Sequence, residues 1–260
     1  AHVQGNSALA LDGLCRDMGS ARMLASRSDS LVVTMLGARW LQANGQLLAD
    51  VLAELPADQT LPASCEMALQ PLDSEAVSLC RPFRGEYAMA AAVARHIHAQ
   101  ALERSALSGW VFDLDKTLNR QAEGTGQACQ APLQARINDD LPVELRAANQ
   151  ASPSLWHIDC LSNAMGCVLS GIAAPAYDKY IVRMQDVAAG QRLLGAWLWL
   201  RQQPGSDDAA SLLAQLPPQW HSAQRPVVLG VDGSALEVAR YERAQDQAGQ
   251  PLPPLRLPLP

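Results

Sequence analysis

Apolar residues recur at helical spacing along most of the chain. From Ser7 to Arg27 they fall at Leu11, Leu14, Met18 and Leu24, and from Asp29 to Leu55 at Leu31, Met35, Ala38, Leu48, Leu52 and Leu55, so two amphipathic helices are predicted. Ser28 and Asp29 can cap the second, and Pro56 stops it, because proline has no N–H to donate. Residues 56–85 contain Pro56, Pro62, Pro71, Pro82 and Gly85 and read as an irregular connection. An alanine-rich third helix is expected from Glu86 to about Leu107, its small side chains permitting close packing in a bundle.

Residues 108–155 carry weaker signals: a short extended piece around Trp110-Val-Phe112, a Gly-Thr-Gly turn at 124–126, and prolines at 132, 142 and 153. The pattern then predicts a helix over 154–173, stopped by Pro175, and the longest helix from Ala176 to about Gln203. The wide stripe Tyr177, Ile181, Met184, Val187, Leu194 and Leu198 of that helix implies deep burial. A short helix is expected at 207–216.

Near the C-terminus the period changes from helical to alternating. Val227-Val-Leu-Gly-Val231, Asp232-Gly233 and Ser234 to Tyr241 read as a β-hairpin about an Asp-Gly turn. Five prolines between Pro251 and Pro260 predict an extended tail. The fold expected is mainly α: a multi-helix bundle with a small C-terminal β-hairpin and a proline-rich tail. It is read as a single domain over 1–260, with a helical body at 1–222, the hairpin at 223–250 and the tail at 251–260.

Hydrophobic residues make up 48% of the chain and charged ones 18%, which sets disorder aside. The densest apolar run, Leu193-Leu-Gly-Ala-Trp-Leu-Trp-Leu200, is far shorter than the roughly 20 residues of a membrane span. Net charge is −6, with eighteen scattered arginines and two lysines, Lys116 and Lys179. No concentrated cationic face is expected, so no nucleic-acid partner is; an acidic protein suits a basic protein partner. The sequence at Ala1 has neither a basic start nor an apolar run, which leaves room for a leader or inner-membrane anchor removed from the chain as it stands.

Cys15, Cys65, Cys80, Cys129, Cys160 and Cys167 form an even set without paired Cys-x-x-Cys knuckles, as expected of an oxidising compartment; the alternative is six buried thiols. On a continuous helix Cys160 and Cys167 would lie about 10.5 Å apart, beyond disulfide reach. Either the helix kinks at Asn163 or Gly166, or each pairs elsewhere. Six cysteines allow about fifteen connectivities. The favoured set joins Cys65 to Cys80 across the proline-rich loop, worth on the order of 3 kcal/mol, Cys160 to Cys167, and Cys15 to Cys129 by remainder.

Most catalytic signatures are absent: no Gly-x-Ser-x-Gly, Ser-x-x-Lys, His-Glu-x-x-His or phosphate loop occurs. His96 and His98 are two apart, on different sides of a helix, and are not expected to share a metal. His157 and Cys160 could form a thiol–imidazole pair at i,i+3, a reading that a disulfide at Cys160 would remove. Trp197 and Trp199, also two apart, predict one core tryptophan and one nearer an edge. No cofactor is expected.

Trp110-Val-Phe-Asp-Leu-Asp-Lys-Thr-Leu118 resembles the first motif of the haloacid dehalogenase superfamily. That resemblance implies Asp113 as a nucleophile towards phosphorus and Asp115 as general acid/base beside Mg²⁺, and it requires a strand ending at Asp113 in a parallel sheet. Ser170, Lys179, Asp139-Asp140 and Asp232 are the residues available for its later motifs. Separately, Leu61-Pro-Ala-Ser-Cys65, Ser78-Leu-Cys80, Arg84-Gly-Glu86, Cys160-Leu-Ser-Asn-Ala-Met-Gly-Cys167, Pro175-Ala-Tyr177, Leu198-Trp-Leu-Arg201 and the hairpin together resemble a loose family of helical, Gram-negative cell-envelope proteins. This second resemblance implies a periplasmic, disulfide-bonded protein of the immunity type that binds and blocks a secreted antibacterial toxin without catalysis. The phosphatase is the alternative, and the resemblance carries over no partner-binding residue.

Overall fold

A computed structural model describes residues 1–104, 111–143, 158–173, 177–203, 208–242 and 250–260. Helix α1 (Ser7–Arg27) starts at Asn6, whose side chain accepts the Leu9 N–H at 3.1 Å, one of the donors a first turn leaves open. It buries Leu11, Cys15, Met18, Ala21 and Ala25, whereas Leu24, expected inside, is exposed. The smaller alanine and cysteine positions take the inner face because α2 (Leu31–Ala53) packs so closely there. A Cβ at Gly37 would stand 2.6 Å from the Ala25 nitrogen and 2.8 Å from the Ala21 oxygen, so glycine is needed at this crossing.

The segment predicted to be irregular holds two short helices, α3 (Ser64–Ala68) and α4 (Ser74–Ser78), and the start of α5 (Cys80–Arg104). Helix α5 thus begins six residues before the expected Glu86. Pro82 lies in its first turn, where a missing N–H breaks nothing. Gly85, which reads as a breaker, is a contact: a Cβ there would fall 1.8 Å from the Asp29 carbonyl oxygen. Helix α6 (Leu114–Gly126) absorbs the expected Gly-Thr-Gly turn as its last turn, and α7 (Ala131–Asn138) follows with a proline in its first turn.

The helix predicted over 154–173 is two helices among the described residues, α8 (Ile158–Leu161) and α9 (Ala164–Ala173), separated at Ser162 and Asn163. Helix α10 (Tyr177–Arg201) runs through the centre with Ile181, Met184, Leu194 and Trp197 sealed from solvent. At its end Arg201 donates to the carbonyls of Leu52, Leu55 and Pro56, each at 2.7 Å, and of Ala57 at 3.0 Å. Leu52 lies in the last turn of α2 and the other three carbonyls in the segment that follows, so Arg201 pins the exit of α2 to the end of α10. Helix α11 (Ala209–Leu213) is shorter than expected.

The hairpin is present as β1 (Val228–Leu229) and β2 (Ala235–Val238), antiparallel with Leu229 opposite Leu236. Gly233 supplies the positive φ of 67° that the turn requires. The tail does more than run extended: Leu255–Pro258 is a third strand, β3, paired antiparallel to β2 with Leu257 opposite Leu236. Pro258 fits there because β3 is the sheet's outer strand, and its carbonyl accepts the Trp197 indole N–H at 2.6 Å. One buried apolar cluster joins α1, α2, α10, β2 and β3, reaching from Leu11 to Leu257.

Candidate functional site

Asp113 does not end a strand. It is the N-cap of α6, its side chain accepting the Lys116 N–H at 3.0 Å, with the Lys116 ammonium 3.4 Å from its other oxygen. The Lys116 backbone donor, the largest effect, outweighs the opposing effect of burial and, with the smaller help of the Lys116 side chain, holds the Asp113 carboxyl below the usual carboxylate range. Asn163 fixes this corner from the break before α9: its Oδ1 accepts the Asp113 N–H at 3.0 Å and its Nδ2 donates to the Thr117 hydroxyl at 3.0 Å. Asp115 is exposed. The described strands form an antiparallel sheet at the C-terminal end, not the parallel sheet that the dehalogenase resemblance requires.

The other residues available to that resemblance are dispersed. Lys179 is exposed on α10, Asp232 pairs with Arg256 at 2.6 Å, and Asp140 lies in the cluster described below; the side chain of Ser170 lies outside the described residues. His96 is exposed, and His98 meets Phe112 edge-on at 5.4 Å. His157 also lies outside the described residues. Trp197 is the core tryptophan, and Trp199 packs against the core while partly open.

All six cysteines are bridged, but two of the three expected pairings are corrected. Cys15 joins Cys65 and Cys80 joins Cys129, while Cys160 joins Cys167 as expected, with Cα atoms 5.8 Å apart. Cys65 and Cys80 are near in sequence, yet Cys65 faces α1 and Cys80 opens α5, which packs beside α6. The break at Asn163 brings Cys160 and Cys167 within reach. Arg120 aims an N–H at this bridge, 2.8 Å from the Cys167 sulfur. A bridged Cys160 removes the thiol-nucleophile reading. Three disulfides are compatible with a secreted or periplasmic location.

Sequence reasoning did not foresee a buried ionic cluster around Asp140. Helix α7 ends in a Schellman turn, with the Asp140 N–H on the Ile137 carbonyl and the Leu141 N–H on the Arg136 carbonyl; Asp140 takes the left-handed position, φ 51°, where glycine is usual. Its carboxylate is thereby turned inward. Arg225 grips it through Nη2 at 2.5 Å and Nε at 3.2 Å, Arg192 through Nη2 at 2.5 Å, and the Ser222 hydroxyl donates to it at 2.6 Å. Arg225 also donates to Asp186 at 2.7 Å and lies 3.7 Å over the Tyr241 ring, while the Tyr241 hydroxyl donates to the Asp140 carbonyl at 2.5 Å. Burial pulls the Arg192 guanidinium down from its ordinary value, and Asp140 opposes that. A cleft of about 590 Å³ opens beside the cluster, between α4, the end of α7 and α10. The one sequence signal was a pair of charges, Asp186 and Arg192, inside the buried half of an apolar helix.

A second feature is apolar and exposed. Val32, Leu36, Trp40 and Leu47 form a stripe along the outer face of α2, with Trp40 44% exposed and exposed Leu24 of α1 beside Gly37 at the helix crossing. Spacings of four, four and seven residues place the stripe on one side of the helix. Among the described residues no helix is long and apolar enough to cross a membrane. Comparison with protein families, curated proteins and solved structures finds no match to this chain.

Proposed function

We propose that this protein is a non-enzymatic binding protein of the periplasm, most concretely an immunity-type inhibitor that occupies and blocks a secreted antibacterial toxin. The observation that carries this reading is the exposed stripe of α2, because a large aromatic among aliphatic neighbours, rimmed by polar residues, is the composition of a protein-binding hot spot. Three disulfides support an extracytoplasmic setting, the resemblance to helical cell-envelope proteins points the same way, and a net charge of −6 favours a cationic partner.

The test is affinity capture with the oxidised chain, its three disulfides intact, followed by an assay of the captured protein's activity. The expected result is one stoichiometric partner whose activity is blocked, with binding weakened at least about tenfold by Trp40→Ala. Capture unaffected by Trp40→Ala or Leu36→Asp removes the α2 stripe from the interface. Mg²⁺-dependent hydrolysis of a phosphomonoester that disappears in Asp113→Asn replaces the inhibitor reading with the phosphatase.

A further inference from the structure

The three bridges differ in how they meet solvent. Cys15, Cys65, Cys160 and Cys167 are each at most 3% exposed, whereas Cys80 and Cys129 are partly open. Both residues of that bridge line a cleft of about 550 Å³, walled also by Asp29, Glu75, Arg81 and Arg84, and the volume suits a small organic molecule. Two cations face two anions there, so the cleft has no strong preference for a charged ligand, and its distinguishing feature is the disulfide on its wall. The backbone at the bridge is unusual as well. Leu79 joins α4 to α5 at φ 57°, a left-handed position that leucine rarely adopts, and its side chain is buried. The Leu79 carbonyl accepts the Phe83 N–H at 3.0 Å, so Cys80 is the first residue of a 25-residue helix. A thiolate at that position is stabilised by the open N–H groups and positive end of the helix. Cys129 instead ends the single turn Gln127–Cys129, which gives a thiolate no such support.

We infer that Cys80–Cys129 is a thiol–disulfide exchange site that takes a low-molecular-weight thiol from this cleft. The incoming thiolate attacks Cys129 Sγ and forms a mixed disulfide there; the Cys80–Cys129 bond breaks, and its electron pair leaves on Cys80 Sγ as a thiolate at the start of α5. The thiol of lower pKa leaves faster, which sets the direction of attack. The long loop's cross-link energy sets how far the exchange runs, whereas access sets which bridge reacts first. Opening the bond frees Cys80 and the strained Leu79 from the Gln127–Cys129 turn, which leads directly into α7, so the order of α7 registers the thiol content of the surroundings. The assignment uses none of the α2 residues and goes beyond the inhibitor reading.

The probe is reduced glutathione, incubated with the oxidised chain at pH 7 without denaturant; time points are quenched in acid, alkylated and mapped by mass spectrometry. The expected result is a glutathione adduct on Cys129 and a free thiol on Cys80, formed at least about tenfold faster than any change at the other four cysteines. Amide exchange should quicken at Leu133 and Gln134, whose N–H groups bond the Gln130 carbonyl at the start of α7. In Cys129→Ser the remaining Cys80 thiol should titrate below the ordinary value of about 8.5, read from the pH dependence of its alkylation rate. The adduct map of the unsubstituted chain decides the site even if Cys129→Ser fails to fold. A first adduct on Cys15, Cys65, Cys160 or Cys167, an adduct on Cys80, no adduct at millimolar glutathione, or a Cys80 thiol that titrates at about 8.5 or above overturns the inference.

Discussion

Arg225 and Asp140 are 85 residues apart in the chain and meet through two N–H donors in a pocket where the arginine side chain is 1% exposed. The same guanidinium reaches Asp186 at 2.7 Å, so one cation is shared by carboxylates from the end of α7 and from α10, and it ties the segment entering the sheet to the helical body.

Removing that cation leaves two buried carboxylates under-compensated. Arg225→Ala is expected to destabilise the fold by about 3–5 kcal/mol, read as a shift in the urea midpoint at pH 7. Asp140→Asn keeps a side chain that tolerates the left-handed backbone, so it should be less damaging than Asp140→Ala, which loses both the conformational preference and the acceptor.

Arg201 terminates α2 from a distance. Its four contacts run to carbonyls of Leu52, Leu55, Pro56 and Ala57, and Arg201→Ala should lower stability by about 2–3 kcal/mol. Arg201→Lys, a point charge without the planar fork, should recover only part of it. Amide hydrogen exchange at Leu55 and Gln59, whose N–H groups bond the Leu52 and Pro56 carbonyls, should accelerate in both variants.

The bridges differ in the chain length they close. Cys15–Cys65 and Cys80–Cys129 span 50 and 49 residues and Cys160–Cys167 spans 7, so paired Cys→Ser replacement should remove about 4 kcal/mol for either long loop and about 2 kcal/mol for the short one. Thermal denaturation of the three double variants ranks them. Proteolytic mapping under non-reducing conditions should recover Cys15 linked to Cys65.

Asp232 links stability to acid. The Arg256 side chain, then the Ser234 donors, hold its carboxyl down to about 2, against roughly 3.9 in an unfolded chain. Its contribution is therefore complete above about pH 4 and lost as the pH falls towards 2. Asp232→Asn should lower stability at about pH 4 and above, by a small amount because the pair is solvent-exposed, with the difference from the unsubstituted chain closing as the pH falls towards 2. Comparison of urea midpoints at pH 2, 4 and 7 measures this.

The helices α1, α2 and α10 and the hairpin are legible in the sequence because period and burial report each other: Leu11, Met18, Leu48, Ile181 and Met184 fall at core positions as their spacing predicts. The reading fails where a breaker residue acts as a contact. Pro82 and Gly85 look like the end of a loop but lie inside α5, since first-turn proline is harmless and the Asp29 carbonyl occupies the space beside Gly85. The tail's extended backbone is foreseeable from its prolines, but its pairing with β2 depends on a neighbour some twenty residues earlier.

The helical class, the hairpin and the presence of enough cysteines for three bridges all follow from local spacing and composition. Which cysteines pair, that Asp113 caps a helix, and that Asp140, Asp186, Arg192 and Arg225 converge emerge once the chain has folded. Those outcomes depend on which distant segments become neighbours, and the free energy of a buried charge or a cross-link is set by those neighbours and not by residues adjacent in the chain.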